Sequence, residues 1–530
     1  MGKKDKNKKK VSGSVKTAMK TEKKLNAKQK KELAAVGEDD IEKVIAEIER
    51  EERRRERVVE AVVEPPSRRV NFSFCPHPFK DELIMFGGEF HDGRKTTVYG
   101  DLFFYNTSKN EWTVVKAPGA PPPRCGHQAV VTSTGKGEMW IFGGEFSSPS
   151  ESQFYHYKDL WLYRIGEKKW EKVTVPGGPS PRSGHRMVHL KKKLFIFGGF
   201  HDNLRDYKYF NDLYIFDLSL YQWSNLNITG NIPAPRSGCI VLPTPQNTIL
   251  VYGGYSKEKI KKDVDKGHVH MDMFILGPQK NDESGTKWKW TLTKQSGAII
   301  SPRCSASAVS VQPGLAYIFG GVHDDMEDEE QLDGTFFNEL LALDLEKYQW
   351  RCVNLSGKKE ASSVRRRRRK AKDDMEEATS GSEEENDSDD NEIRKSTSKA
   401  STQPAAFVTD DDGIFTMTLG PAPVHSITNT SETSTANIFS PSPRINAGLA
   451  VKNGILYLYG GMFEDGDKQF TLNDFYSLDT KKLNEWKTIM RDDFSSQVWL
   501  DSESTESEGE GEDSEDETCS DDSDEDMNVE

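Results

Sequence analysis

The stretch SPRSGHRMVHLKKKLFIFGGF, residues 180–200, sets a Pro-Arg pair ahead of a double glycine, with sixteen positions from Arg182 to Gly198. Apolar, strand-forming runs lie between the two marks. The same arrangement recurs along the chain. The double glycines are Gly87-Gly88, Gly143-Gly144, Gly198-Gly199, Gly253-Gly254, Gly320-Gly321 and Gly460-Gly461, each preceded by an apolar run such as LIMFGG or LYLYGG. Five have a Pro-Arg upstream: Pro123-Arg124, Pro181-Arg182, Pro235-Arg236, Pro302-Arg303 and Pro443-Arg444. The first copy reads SRRVNFSF, with Arg69 in the equivalent place and no proline. An acidic-apolar step follows each glycine pair: Asp101-Leu102, Asp159-Leu160, Asp212-Leu213, Asp272-Met273, Glu339-Leu340 and Asp474-Phe475. Each copy closes on a tryptophan, which is Trp112, Trp170, Trp223, Trp288 or Trp290, Trp350 and Trp486 in turn.

One copy reads as four short strands separated by Gly, Pro and polar turns. The run before Gly-Gly is nearly all apolar and is expected to be buried on both faces. The glycines end that strand where a side chain would clash or where φ is positive. The tryptophan covers the adjoining sheet. No copy can bury both of its faces alone, so the copies must stack. Radial stacking of four-stranded units gives a β-propeller.

Gly-Gly, then Tyr or Phe, then Trp at a spacing near fifty residues resembles the kelch repeat. The aromatic stands seven residues before the tryptophan in Tyr105/Trp112, Tyr163/Trp170 and Phe216/Trp223. The resemblance covers residues 69–355 and 440–490 and implies an all-β, six-bladed kelch β-propeller. It also implies that the strand after Pro-Arg is innermost and begins at one mouth of the central channel. Arg69, Arg124, Arg182, Arg236, Arg303 and Arg444 would then ring that mouth. Guanidinium forks suit carboxylates, so these are candidates for binding an acidic peptide or the C-terminus of a polypeptide. The competing expectation is that each arginine bonds backbone of a neighbouring blade. Residues that break the repeat are the other candidates: Tyr155, His156, Tyr157, the run from Tyr255 to Lys262, and the run from Met462 to Asp467.

Charge comes in blocks. Residues 1–31 carry thirteen lysines against Asp5 and Glu22. Residues 1–37 are expected to be a disordered basic segment and 38–64 a charged helix, with Ile41, Val44, Ile45 and Ile48 at helical spacing and Pro65-Pro66 as its stop. The helix is expected to lean on the propeller. The glycine-pair separation jumps from 67 to 140 residues between the fifth and sixth copies. The insertion, 356–440, holds six consecutive cations at 365–370 and then an acidic, serine-rich run, and its composition is that of disorder. Propeller blades one to five occupy 65–355 and blade six 441–500. The tail, 501–530, has sixteen acids and no Lys or Arg, so without it the net charge changes from −14 to +2. Its Ser-acid spacing suits acid-directed phosphorylation, and the tail is a candidate internal competitor for the channel mouth.

Little points to catalysis. The six cysteines, Cys75, Cys125, Cys239, Cys304, Cys352 and Cys519, have no paired spacing. His268 and His270 lie near Asp265 and Asp272, and His323 precedes Asp324, Asp325, Glu327 and Asp328, but neither group has a metal-binding spacing. His127 and His185 each follow a Pro-Arg by three residues and mark a fold position. No nucleophile–base pair, phosphate loop or cofactor motif emerges. The lysine-rich start is the reverse of a secretory leader, which with the scattered cysteines suggests an intracellular, reduced setting, cytoplasmic or nuclear.

The expectation is a non-catalytic interaction scaffold, without cofactor or membrane span, monomeric and bound to protein partners. RNA-associated assembly through the basic segments is the second expectation. A ubiquitin-ligase substrate receptor is the third, lacking a recognisable adaptor-type oligomerisation domain. Each blade is expected to come from a contiguous segment, with the ring closing by packing of blades one and six.

Overall fold

The computed structural model describes residues 39–202, 206–224, 226–261, 264–280, 282, 286–325, 333–357, 438–466 and 468–492. The basic segment 1–37, most of the insertion including the 365–370 cations, and the acidic tail 501–530 lie outside these residues.

Six sheets, antiparallel through their inner four strands, surround a channel and build a six-bladed propeller. The innermost strands are Ser73–Pro76, Gln128–Thr132, Arg186–Leu190, Ile240–Pro243, Ser307–Gln312 and Gly448–Lys452. Each packs against the next around the ring, and the sixth returns to the first. The run before Gly-Gly forms the second strand, and in Glu138–Phe142 and Ile249–Tyr252 every residue is buried. That is what a strand covered by blades on both sides requires.

The closing tryptophan fills the interface between blades. Trp170 packs on Phe86 at 5.5 Å between ring centroids, Trp223 on Phe142 at 6.1 Å and Trp290 on Phe197 at 5.3 Å. Trp350 meets Tyr252 at 4.9 Å, Trp486 meets Phe319 at 5.9 Å and Trp112 meets Tyr459 at 5.6 Å. In every case the partner is the aromatic just before the glycine pair of the preceding blade. The series resolves the ambiguous fourth copy in favour of Trp290, while Trp288 packs on Phe195. Trp112 on Tyr459 closes the ring, and blades one and six each come from a continuous segment.

Two expectations are corrected. The charged helix does not extend to residue 64. It is α1, Ile41–Arg54, capped by the Asp40 side chain accepting from the Glu42 N–H. Beyond it, Val59–Val63 is a strand that pairs antiparallel with Glu111–Lys116 as a fifth, outer strand of blade one. The apolar helical stripe stops at Ile48, and the β-branched valines that follow favour an extended backbone. Four strands per blade is also too few for blades four and five. Asn227–Gly230 and Ser296–Gly297 each add an outer strand, parallel to its neighbour.

Candidate functional site

The Pro-Arg, Gly-Gly and acidic signatures converge on one device. Each arginine donates from Nη1 to the carbonyl of the first glycine of its own blade, at 2.9–3.3 Å for Gly87, Gly143, Gly198, Gly253, Gly320 and Gly460. The acid of the acidic-apolar step takes the guanidinium's other edge. Arg124–Asp159 is 2.8 Å, Arg236–Asp272 2.6 Å, Arg303–Glu339 2.7 Å and Arg444–Asp474 2.6 Å. Arg182 pairs with Asp212 in the same way, and Arg69 stands 4.0 Å from Asp101. Burial pushes the Asp159 and Asp272 carboxyls up, but the adjacent arginines outweigh it and hold both below the ordinary carboxylate range.

The arginine backbone performs a second task. Its carbonyl accepts from the N–H of the second glycine of the preceding blade: Arg124 from Gly88, Arg182 from Gly144, Arg236 from Gly199, Arg444 from Gly321 and, across the closing seam, Arg69 from Gly461. In five of the six blades, Gly253 being the exception, the first glycine has no room for a side chain. A Cβ at Gly87 would lie 2.5 Å from the Arg124 carbonyl oxygen, at φ +70°. The double glycine is therefore where one blade's backbone touches the next.

The expected ring of displayed guanidiniums is corrected by this geometry. Arg69, Arg124, Arg182, Arg236, Arg303 and Arg444 are all buried, and each is bound within its own blade. Aromatic rings lie over all six, nearest in four: Tyr99 lies 4.2 Å from Arg69, Tyr157 4.0 Å from Arg124, Phe210 4.0 Å from Arg182 and Phe337 3.8 Å from Arg303, with Phe274 5.6 Å from Arg236 and Tyr476 5.8 Å from Arg444. A buried, paired cation has little capacity left for a ligand.

Beside these arginines, six left-handed residues line the mouth: Asn71, Gly126, Gly184, Gly238, Ser305 and Asn446, with φ between 48° and 60°. Successive members are linked N–H to carbonyl at 2.9–3.1 Å from Asn71 round to Asn446. Around this mouth stand six hairpins, one between the second and third strands of each blade. They include Glu89–His91 with Thr96–Val98, Glu145–Ser147 with Phe154–His156, Phe200–Asp202 with Tyr207–Tyr209, and Tyr255–Lys261 with Val264–Val269. Val322–Asp325 with Asp333–Phe336, and the extended second and third strands of blade six, complete the crown.

The crown separates the loop candidates. Tyr157 is a repeat position, buried over Arg124, and donates its hydroxyl to the Pro123 carbonyl. Tyr155 packs with Phe146, Ile41 and Ile45 beneath α1. Gln153 fastens that helix, accepting from the Ile41 N–H and donating to the Asp39 carbonyl. His156 is buried against His201, with ring centroids 4.6 Å apart, and burial lowers it to about 4. Tyr155, His156 and Tyr157 thus serve the protein's own packing.

Tyr255 is different. It is half-buried on the crown and continues a row of aromatic rings: Phe200–Tyr209 at 5.9 Å, Tyr207–Tyr209 at 6.0 Å and Tyr209–Tyr255 at 6.4 Å. The Tyr207 hydroxyl donates to Asp265 at 2.8 Å. Exposed Lys208, Lys257 and Lys259 flank the row. Phe200, Tyr207 and Tyr209 escaped sequence reasoning. Their signal is the alternation in YKY (207–209), which places both tyrosines on one face of a hairpin strand. Of the Met462 to Asp467 candidates, Met462 is buried and Phe463 stacks on Phe470 at 4.8 Å. Lys262 and Asp467 lie outside the described residues.

Two half-buried acids sit behind the mouth. Glu89 accepts from Asn71 Nδ2 at 2.7 Å and lies 3.2 Å from Cys125 Sγ. Glu145 accepts from Ser183 Oγ at 3.1 Å and stands 3.4 Å from His156 Nε2. Burial, reinforced by Glu89, pushes the Glu145 carboxyl up to about 8. His268 and His270 touch at 4.5 Å, and His270 bonds Ser256 Oγ at 2.9 Å. Among the described residues no group of three His, Cys, Asp or Glu is placed to hold a metal ion. The cysteines there form no disulfide, with Cys75, Cys125, Cys239 and Cys304 buried and Cys352 exposed. His127 and His185 are buried against Phe86 and Phe142, a fold position in both blades.

Residues 64–274 match the FBX42 beta-propeller domain family. Host cell factor of Drosophila melanogaster is 28% identical over 307 residues, 53% of this chain and 18% of that protein. The protein folds as a six-bladed β-propeller. Host cell factor 1 of Homo sapiens is 26% identical over 297 residues, 52% of this chain and 13% of that protein. Acyl-CoA-binding domain-containing protein 5 of Arabidopsis thaliana is 31% identical over 190 residues, 35% of this chain and 27% of that protein. The chain therefore spans under a third of the length of these relatives. No helix among the described residues is long and apolar enough to cross a membrane.

Proposed function

We propose that this kelch propeller is a non-catalytic protein-interaction scaffold that binds its partner on the crown formed by the hairpins of blades three and four. The observation that carries this reading is the half-buried row Phe200, Tyr207, Tyr209 and Tyr255, flanked by exposed lysines. Rigid aromatics with a polar tip supply contact area at low entropic cost, and they dominate protein interfaces. The lysines favour an acidic rim on the partner. The crown also sits on a rigid scaffold, as recognition loops generally do.

Within the kelch propellers, the segments SQFYHYKDLW (152–161), SGHRMV (183–188), VYGGYSK (251–257), KKDVDKG (261–267) and YGGMFEDGD (459–467) resemble kelch domain-containing protein 4. An intracellular setting, cytoplasmic or nuclear, and a monomeric state belong to the same reading. RNA-associated assembly through the lysine-rich start and the 365–370 cations is the second reading, supported by charge alone.

The test is quantitative affinity purification of the full-length protein against a Tyr209→Ala/Tyr255→Ala variant and a form lacking residues 1–37. Protein partners lost with the tyrosines, at unchanged thermal midpoint, are the expected result. Partners lost only with the basic segment and sensitive to ribonuclease would replace this reading with the RNA one. Retention of all partners by the tyrosine variant would remove the crown as the binding surface.

A further inference from the structure

A seventh arginine near the mouth has no acid. Arg186 opens the inner strand of blade three, two residues past the left-handed Gly184. At the same level the other blades place Ser73, Gln128, Ile240, Ser307 and Gly448, all lining the channel. Arg186 donates from Nε to the Cys239 carbonyl at 2.7 Å and from Nη1 to the His185 carbonyl at 3.3 Å. It makes no ion pair among the described residues, whereas the six repeat arginines, the five of the Pro-Arg pairs and Arg69, all face a carboxylate. Burial lowers its pKa without an opposing acid. Glu145 is the one acid lining the channel among the described residues, and it holds its proton up to about 8. At neutral pH the lining therefore carries one uncompensated positive charge. The lumen is about 690 Å³, room for an extended peptide segment with its side chains.

A desolvated cation without a counter-ion is costly, and a carboxylate delivered to its free edge recovers that cost. The protein itself holds a source. Residues 501–530 have sixteen acids and no cation. Asp492, the last described residue, pairs with Arg68 at 2.5 Å, and Arg68 also donates to the Thr471 carbonyl in the blade-six hairpin. Asp492 thus stands on the crown side. The nine residues from Asp492 to Asp501 reach up to about 30 Å when extended.

We propose that Arg186 is a carboxylate-binding site inside the channel mouth and that the acidic C-terminal segment of this same protein is its occupant. Of the crown's aromatic row only Phe200 lines this channel; Tyr207, Tyr209 and Tyr255 stand outside it. Occupied by the tail, it makes the channel self-blocked, and an external acidic peptide must compete for it.

The test titrates a fluorescent synthetic peptide of residues 501–517, DSESTESEGEGEDSEDE, onto full-length protein and follows anisotropy. Three proteins are compared: wild type, a form with the Asp and Glu of 501–530 changed to Asn and Gln, and that form with Arg186→Gln added. The expected result is at least tenfold tighter binding to the neutralised form than to wild type, and loss of that gain with Arg186→Gln. Arg186→Lys, which keeps the charge, should retain part of it. Thermal midpoints check folding, and removal of the unpaired charge should leave the midpoint equal or higher. Equal binding by wild type and the neutralised form would remove the tail as occupant. Full binding by the Arg186→Gln form would remove the site.

Discussion

Blades one and six meet at the closing seam and hold the same arginine differently. In blade six, Asp474 grips Arg444 with both oxygens at 2.6 and 2.8 Å, and its side chain is 3% exposed. In blade one, Asp101 is 41% exposed and stands 4.0 Å from Arg69. Blade one is also the copy that lost the proline. Arg68 occupies the proline's place and pairs across the seam with buried Asp492 of blade six. The repeat's fastening is thus weaker in blade one and is supplemented by a bond between the two blades. Identical sequence signatures need not carry identical energy, because burial of the acid decides it.

That contrast can be broken at its apolar part first. Trp112→Ala removes the ring packed on Tyr459 and Phe475 and should cost about 3–5 kcal/mol in urea unfolding. Trp486→Ala at the blade-five interface is the reference, and a much smaller loss for Trp112 would mean that the ion pair holds the seam. Next, Asp474→Ala leaves Arg444 buried without its acid and should cost about 3 kcal/mol by the same measurement.

A third variant extends the comparison to a half-buried acid with no cation. Unfolded Glu145 releases its proton near 4.5 and folded Glu145 near 8. The folded state binds the extra proton between those values, so its contribution to stability is full below about 4.5 and is lost as pH rises toward 8. Glu145→Gln cannot ionise. Its thermal midpoint should exceed wild type by about 2–4 °C at pH 8 and match it at pH 4.5. An equal difference at both pH values would show a packing effect instead. The smallest effect is expected from Asp101→Asn, below about 0.5 kcal/mol, and a loss as large as that of Asp474→Ala would erase the distinction between the two blades.

The blades were legible because a repeated unit states its own period. Arg182, Gly198, Asp212 and Trp223 recur together since each is needed wherever one blade touches the next. The candidate site was less legible for the same reason. Recurrence marked the arginines as a possible ring, but the acids that neutralise them stand 30 to 36 residues downstream. Tyr155 and Tyr157 looked like departures from the repeat, and one is covered by α1 while the other is a repeat position lying over Arg124.

By itself the sequence determined the number of blades, their order and the class of fold, because local spacing of Gly, Arg, Asp and Trp is a short-range property of each copy. The tertiary structure decided which charges are spent and which remain. Arg182 and Arg186 are four residues apart in SPRSGHR, yet one faces Asp212 within its blade and the other faces the lumen without an acid. Whether a guanidinium meets a carboxylate depends on strands brought together from distant parts of the sequence, and no local spacing encodes that meeting.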